Sequence, residues 1–371
     1  MSQALVHPVE FHGNGWEYAK IYFVNLALSI ITLGIYSAWA KVRNKRYFYG
    51  HTRLDGNSFD YHARPVQILK GRLLVVGVFV LYNIIVGIIP AAGGIFFILF
   101  LAALPWLILR ATQFNMRNSS YRQIRFDFLG DLGELFIYYV LLPTASMFTL
   151  WLAYPFAVFK QKQYMANNSR FGQSSFLFTG KSGEFFLTYF MVLLGLILLI
   201  VVLNSIYGEQ VQTFFSAFAE AFKARLEQAP ASQLMPAAPE PSKTDPAVIA
   251  RVMLILAVVY GTLLLIGMII MTYIKTRLTN YLFNNLKLTY VRFRSDLRYL
   301  KLLWIYLSNV VLILLTCGIF IPWAKVRAVR YRLSCLTVYA ADLEHFVAGE
   351  AERTRATGEE MSDFLDIDVG F

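Results

Sequence analysis

Seven apolar blocks constrain this 371-residue chain more than any other feature: Ile21–Ala40, Leu73–Ile89, Ala91–Leu109, Leu135–Phe159, Phe185–Ile206, Ala247–Ile274 and Leu302–Trp323. A helix needs roughly 20 apolar residues to cross the hydrocarbon core, within a range of about 17–25, and all seven fit. Backbone in lipid must satisfy its own polar groups, so helix is the conformation expected for each block. The expected fold is an all-α polytopic membrane protein. Its seven apolar helical segments carry internal repeats, some are open to a re-entrant course, and short cytoplasmic connecting segments join them. Residues 1–206 and 247–348 read as two membrane regions. Residues 207–246 read as an extramembrane segment, and 349–371 as an acidic mobile tail.

Charge agrees with a membrane reading. Only 15% of residues are charged, against about 25% in soluble domains, yet the net charge is +11. The cations cluster beside apolar blocks, most densely as Lys41, Arg43, Lys45, Arg46, Arg53, Arg64, Lys70 and Arg72. There they set orientation and meet lipid headgroups. The expected partners are membrane lipids, anionic ones on the cytoplasmic side, and not nucleic acid. Cys317 and Cys335 have no CxxC partner, and the five histidines show no ligand spacing, so neither metal nor cofactor is expected. The first lysine is Lys20, so the first block reads as an uncleaved anchor rather than a signal peptide.

The sequence resembles itself. Thr32, Gly34, Trp39, Lys41, Arg43, Arg46 and Tyr47 align without gaps to Thr316, Gly318, Trp323, Lys325, Arg327, Arg330 and Tyr331, and upstream Asn25 aligns with Asn309. Fainter copies keep an aromatic–cation–aromatic spacing: Trp106/Arg110/Phe114, Phe156/Lys160/Tyr164 and Tyr273/Arg277/Tyr281. Twelve residues beyond the last aromatic, Phe59, Phe126, Phe176 and Phe293 follow in four copies. A Phe-x-Gly-x-x-x-Glu element opens three blocks at Phe11/Gly13/Glu17, Phe128/Gly130/Glu134 and Phe178/Gly180/Glu184. Together these motifs, from Phe11 to about Leu343, resemble the YjgN-like family of bacterial inner-membrane proteins. The resemblance implies a polytopic inner-membrane protein and supplies no reaction, substrate or catalytic residue.

Orientation poses a conflict. Basic segments follow the first, third, fourth, sixth and seventh blocks, and the positive-inside tendency wants all of them cytoplasmic. If every block crossed once, some of these segments would lie on opposite sides. One resolution bends the first, fourth and seventh blocks at Thr32-Leu33-Gly34, Pro143-Thr144 and Thr316-Cys317-Gly318, leaving four true spans. The other keeps seven crossings as an inverted repeat of the transporter kind. The re-entrant course is the favoured reading. Between the fifth and sixth blocks, Phe214, Phe215, Phe218 and Phe222 share a helical face suited to a membrane surface, and a Pro/Ala-rich linker follows from Ala229 to Pro246.

Two sets of residues are candidates for function. Trp39, Lys41, Arg43, Arg46, Tyr47, Trp323, Lys325, Arg327, Arg330 and Tyr331 could contact a headgroup or another anion through arginine's fork of donors. The plainer reading is interfacial anchoring. Asn25, Thr32, Gly34, Asn309, Thr316 and Gly318 could form an intramembrane polar or hinge site. The plainer readings are interhelical hydrogen bonds and packing glycines. Glu17, Glu134 and Glu184 suit helix N-termini. No enzyme signature is present. Three functions follow: a transporter or permease for a small or lipid-like solute, a structural or anionic-lipid-organising envelope protein, and, distantly, an intramembrane enzyme. A polar cavity at Asn25 and Asn309 would favour the first. A dry bundle with an exposed Arg-Trp-Tyr rim would favour the second.

Overall fold

The computed structural model describes residues 5–228 and 246–353. They fall into two compact units, one of residues 1–186 with 275–371 and one of 187–274. The linker and most of the acidic tail lie outside the described residues, as do the side chains of Phe214, Phe215, Phe218 and Phe222.

The connecting segments are not featureless, and here the all-α expectation fails. They form ten short strands: β1 (Leu5–Phe11), β2 (Thr52–Leu54), β3 (Asn57–Tyr61), β4 (Ser119–Tyr121), β5 (Ile124–Phe128), β6 (Ser169–Phe171), β7 (Ser174–Phe178), β8 (Leu286–Leu288), β9 (Val291–Ser295) and β10 (Leu336–Ala340). Each pairs antiparallel with its sequence neighbours, and β1 pairs with β10, so the sheet closes into a barrel without edges. Four hairpins have two-residue turns. Asp55-Gly56 and Arg122-Gln123 hold positive φ at both positions, which matches the twist of tight hairpins.

Strand alternation explains the barrel. In β9, Val291, Phe293 and Ser295 turn inward while Arg292 and Arg294 face out. Register then builds an aromatic lumen: Phe59 opposes Tyr121, Phe126 opposes Phe171, and Phe293 opposes Val338. The four phenylalanines that return at fixed spacing in the sequence all line this lumen. A helix over residues 343–353, here α12, enters from the turn end. Its Leu343, Phe346 and Val347 join the same apolar cluster.

Five helical excursions leave the barrel and return to it at one rim, the rim opposite the hairpin turns, where Phe11 pairs with Thr52 and Tyr61 with Ser119. They are α1 (Gly15–Ile31) with α2 (Ser37–Gly50); α3 (Pro65–Ile88) with α4 (Ala92–Arg117); and α5 (Leu132–Phe136), a π-helical stretch Ile137–Leu141, α6 (Leu142–Met147) and α7 (Tyr154–Asn167). The last two are α8 (Gly183–Gln228) with α9 (Pro246–Asn284), and α10 (Tyr299–Leu315) with α11 (Ile321–Ser334). Among the described residues, four helical stretches are long and apolar enough to cross a membrane, not seven: Pro65–Ile88, Ala92–Arg117, Gly183–Ser205 and Ala257–Asn284. The first, fourth and seventh blocks turn back instead. Every excursion starts and ends on one barrel, so the basic segments gather around it.

The three short hairpins break where φ turns positive: Leu33 and Gly34, Leu150 and Trp151, Cys317 and Gly318. The middle break lies five or more residues beyond the expected Pro143-Thr144. Pro143 follows the π-helical stretch within one unbroken helical run, Leu132–Met147, and does not end it. The tips are apolar and bare, with Leu33 94% and Phe148 89% exposed, as surfaces meant for lipid are. Irregular backbone at this depth needs internal partners. Thr32 supplies them, donating to Leu28 O at 2.7 Å and accepting from Tyr36 N at 2.9 Å. Thr316 does the same with Leu312 and Phe320, and Thr149 with Ser146 and Ala153.

Candidate functional site

The sequence candidates separate once placed. Tyr47 and Tyr331 are buried, so neither is a headgroup contact. The Tyr47 hydroxyl accepts from Asn14 N and donates to Asn14 O, both at 2.8 Å, locking the turn from β1 into α1. Tyr331 makes the same pair with Arg298, Tyr281 with Lys181, and Tyr164 donates to Asp131 O. Burial pushes the Tyr47 phenol up to about 12. The glycines of the Phe-x-Gly element sit in these turns. A Cβ on Gly130 would collide with the Tyr164 hydroxyl and the Phe128 ring. Glu17, Glu134 and Glu184 occupy first helical turns, as read from the sequence.

Arg46 and Arg330 also brace the barrel rim. Arg46 donates to Tyr61 O and Ala63 O, and Arg330 to Gly13 O at 2.8 Å. Trp323 packs edge-on to Trp16 at 5.0 Å and covers Gly15. Trp39 stacks on Tyr36. Lys325 lies over the Tyr22 ring.

Asn25 and Asn309 are buried, and both bond across their own hairpins. Asn25 Nδ2 donates to Asn44, and Asn309 Nδ2 to Ala324 O. Arg327 turns inward, donating to Ser308 at 2.8 Å and more weakly to Asn309 Oδ1. Its counterpart Arg43 stays exposed, and Asn25 Oδ1 is left buried without a partner. Gly34 and Gly318 have φ near +90°, and a Cβ on Gly34 would meet nothing, so Gly34 serves the turn and not helix packing.

Lys41 and Arg43 remain as exposed cations with no hydrogen bond or ion pair among the described residues. Lys41 opens onto a groove of about 890 Å³ between the first hairpin tip, α3 and α4. Leu33, Gly34 and Ile35 form one wall, and Leu73, Val75 and Val76 of α3 form another. Polar lining comes from Ser37, Gln67, Arg72 and Asn115. The Arg72 guanidinium donates to the Ser37 hydroxyl, which in turn donates to Gly34 O. Lys45 stands behind, bonded to Asn115 at 2.5 Å. Burial, and then the Lys41 charge, lower its ammonium below the usual lysine range. No carboxylate lines the groove. Sequence reading included Arg72 in the basic run but did not single it out. Its signal was its place directly before the apolar block that opens at Leu73.

The chain is similar to known proteins. The sequence profile of a family described as "Bacterial protein of unknown function (DUF898)" matches residues 6–364. The inner membrane protein YjgN of Salmonella typhimurium (strain LT2) is 31% identical over 150 residues, 39% of this chain and 37% of that protein. YjgN of Escherichia coli (strain K12) is 31% identical over 125 residues, 33% of this chain and 31% of that protein. The matched stretch thus spans about a third of the length of these relatives. No solved structure matches.

Proposed function

The chain belongs to the DUF898 family of bacterial proteins, and from that premise we propose that it is a non-catalytic protein that engages anionic lipid in the leaflet beside its barrel. It is a multi-pass protein of the bacterial inner membrane, as its YjgN relatives are named. The carrying observation is the pairing of bare apolar hairpin tips with exposed cations one to two turns below them. Tips such as Leu33 and Phe148 suit the acyl region, which leaves Lys41, Arg43 and Lys325 near headgroup level. Cations there attract anionic lipid by about 1 kcal/mol each. Positive-inside bias then puts the barrel in the cytoplasm. The recurring motif copies, four of which feed a hairpin with a two-residue turn, favour an origin by internal repetition.

Transport has less support. Asn25 and Asn309 line none of the cavities described, and α12 packs against the lumen's apolar cluster, leaving only about 90 Å³ beside it. The test is lipid analysis of protein extracted with its surrounding membrane in polymer nanodiscs. Phosphatidylglycerol should be enriched over the bulk membrane, and Lys41→Gln with Arg43→Gln and Lys325→Gln should reduce that enrichment. Discs with bulk composition in both forms would rule the reading out.

A further inference from the structure

The groove beside the first hairpin joins an apolar bed to a cationic head. Its bed belongs partly to α3, a crossing helix with no residue buried inside the protein, so it is open laterally to lipid. Its cations stand where the apolar run of α3 begins, Arg72 directly preceding Leu73. Arg72 is seven residues past Pro65, about 10 Å along the helix at 1.5 Å per residue. Lys41 is one turn below the tip loop.

We propose that this groove binds one anionic glycerophospholipid, its phosphate between Lys41 and Arg72 and its acyl chains along Leu73, Val75 and Val76. The inference deepens the lipid reading and rests on it. Three observations bear on the ligand. The cations have no acid among the lining residues, so the site carries uncompensated positive charge. Arg72 is held by Ser37 at the edge of the tip loop, which fixes a guanidinium fork where a phosphate would need two donors. Lys45 is half-buried beside Lys41, so an anion nearby relieves repulsion between them. A soluble phosphate would use the same cations, but it would leave Leu33, Ile35 and the α3 wall uncovered. The lipid accounts for both halves.

The experiment is native mass spectrometry of the full-length protein, stripped of lipid in detergent and titrated with phosphatidylglycerol or phosphatidylethanolamine. One phosphatidylglycerol should bind tightly and survive activation, with phosphatidylethanolamine clearly weaker. Lys41→Ala with Arg72→Ala should weaken that first adduct by about tenfold or more, as loss of a charge-assisted bond does. Lys287→Ala, on the outward face of β8, should leave it intact. Val76→Trp keeps both cations and fills the bed, and it should also remove the adduct while the protein stays monodisperse. An equal first adduct in the double variant, equal retention of both lipids, or competition by glycerol phosphate at the same concentration would overturn the proposal. Enrichment in nanodiscs that persists in the double variant would spare the broader reading while the groove fails. Absence of enrichment in the wild-type protein would remove both.

Discussion

The Glu350 carboxylate on α12 accepts a hydrogen bond from the Ser174 hydroxyl at 2.7 Å, although 176 residues separate them. Its other oxygen accepts from Gln173 N at 2.8 Å and Ser174 N at 3.1 Å. Glu350 is 1% exposed, and Arg353 stands at 3.3 Å to balance its charge. A buried carboxylate is tolerated only when so partnered. The contact therefore acts as the polar latch that seats α12 in an apolar lumen.

Glu350→Ala should destabilise the protein by about 1–3 kcal/mol, the cost of leaving buried donors unmet. Hydrogen exchange should accelerate at residues 173 and 174 and along α12, and much less in β1–β2. Glu350→Gln, which keeps one acceptor, should lie between. Unchanged protection at 173–174 in the alanine variant would show that the apolar contacts alone hold the helix.

The closed barrel also fixes which surfaces share a side of the membrane. In a protein with Cys317 and Cys335 replaced by serine, Gln123→Cys and Tyr290→Cys lie in exposed hairpin turns, Tyr290 being 84% exposed. Both should react with an impermeant maleimide only after the cytoplasmic face is opened. Ala91→Cys, between α3 and α4, should react in intact spheroplasts. Labelling of Gln123→Cys and Tyr290→Cys from different sides would contradict the barrel itself.

Much of this was legible in the sequence, and the misses have physical causes. Apolar length marked all seven blocks alike and did not single out the four crossing helices; the charge conflict did, and Thr32-Leu33-Gly34 and Thr316-Cys317-Gly318 marked two of the three turns-back, because glycine at positive φ leaves a readable sign. The middle turn had no glycine. Leu150 and Trp151 take positive φ there, and Thr149 supports them. The barrel was missed because its strands are three to seven residues long and lie inside charged connections. The alternation in Val291–Ser295 and the Asp55-Gly56 turn were present, but closure depends on ten such pieces meeting at long range. Spacing located Tyr47 and Tyr331 yet misassigned them, since an aromatic beside arginines looks the same whether it faces a headgroup or a backbone turn.

Tyr47 gives a pH-dependent test. Burial raises its phenol from 10.0 to about 12 in the folded protein. The stability this group contributes is complete below its unfolded value near 10 and is lost as pH rises through about 12. Thermal melts in detergent between pH 9 and 12 should therefore show alkaline destabilisation that Tyr47→Phe partly flattens. At neutral pH the same variant should be less stable by about 1 kcal/mol, from one lost hydroxyl and its two backbone bonds. An unchanged alkaline slope would remove Tyr47 from that role.

The threonines at the hairpin tips carry the last test. Each joins the end of one helix to the start of the next by donating to a carbonyl and accepting an amide four residues on. In water a lost threonine hydroxyl at such a place is replaced by solvent. At a tip surrounded by lipid there is none, so the freed Tyr36 or Phe320 amide has no substitute partner. Thr32→Val and Thr316→Val keep shape and remove only the hydroxyl. Each should cost about 1–3 kcal/mol, whereas Thr52→Val, whose hydroxyl bonds Phe48 O beside the barrel, should cost less. Thr32→Ser keeps the hydroxyl and should restore most of the loss. The comparison is read from melting of protein in lipid nanodiscs, where the tips are dry. If the two tip valines are no more damaging than Thr52→Val, the tips sit in water and the re-entrant placement of these hairpins falls with them.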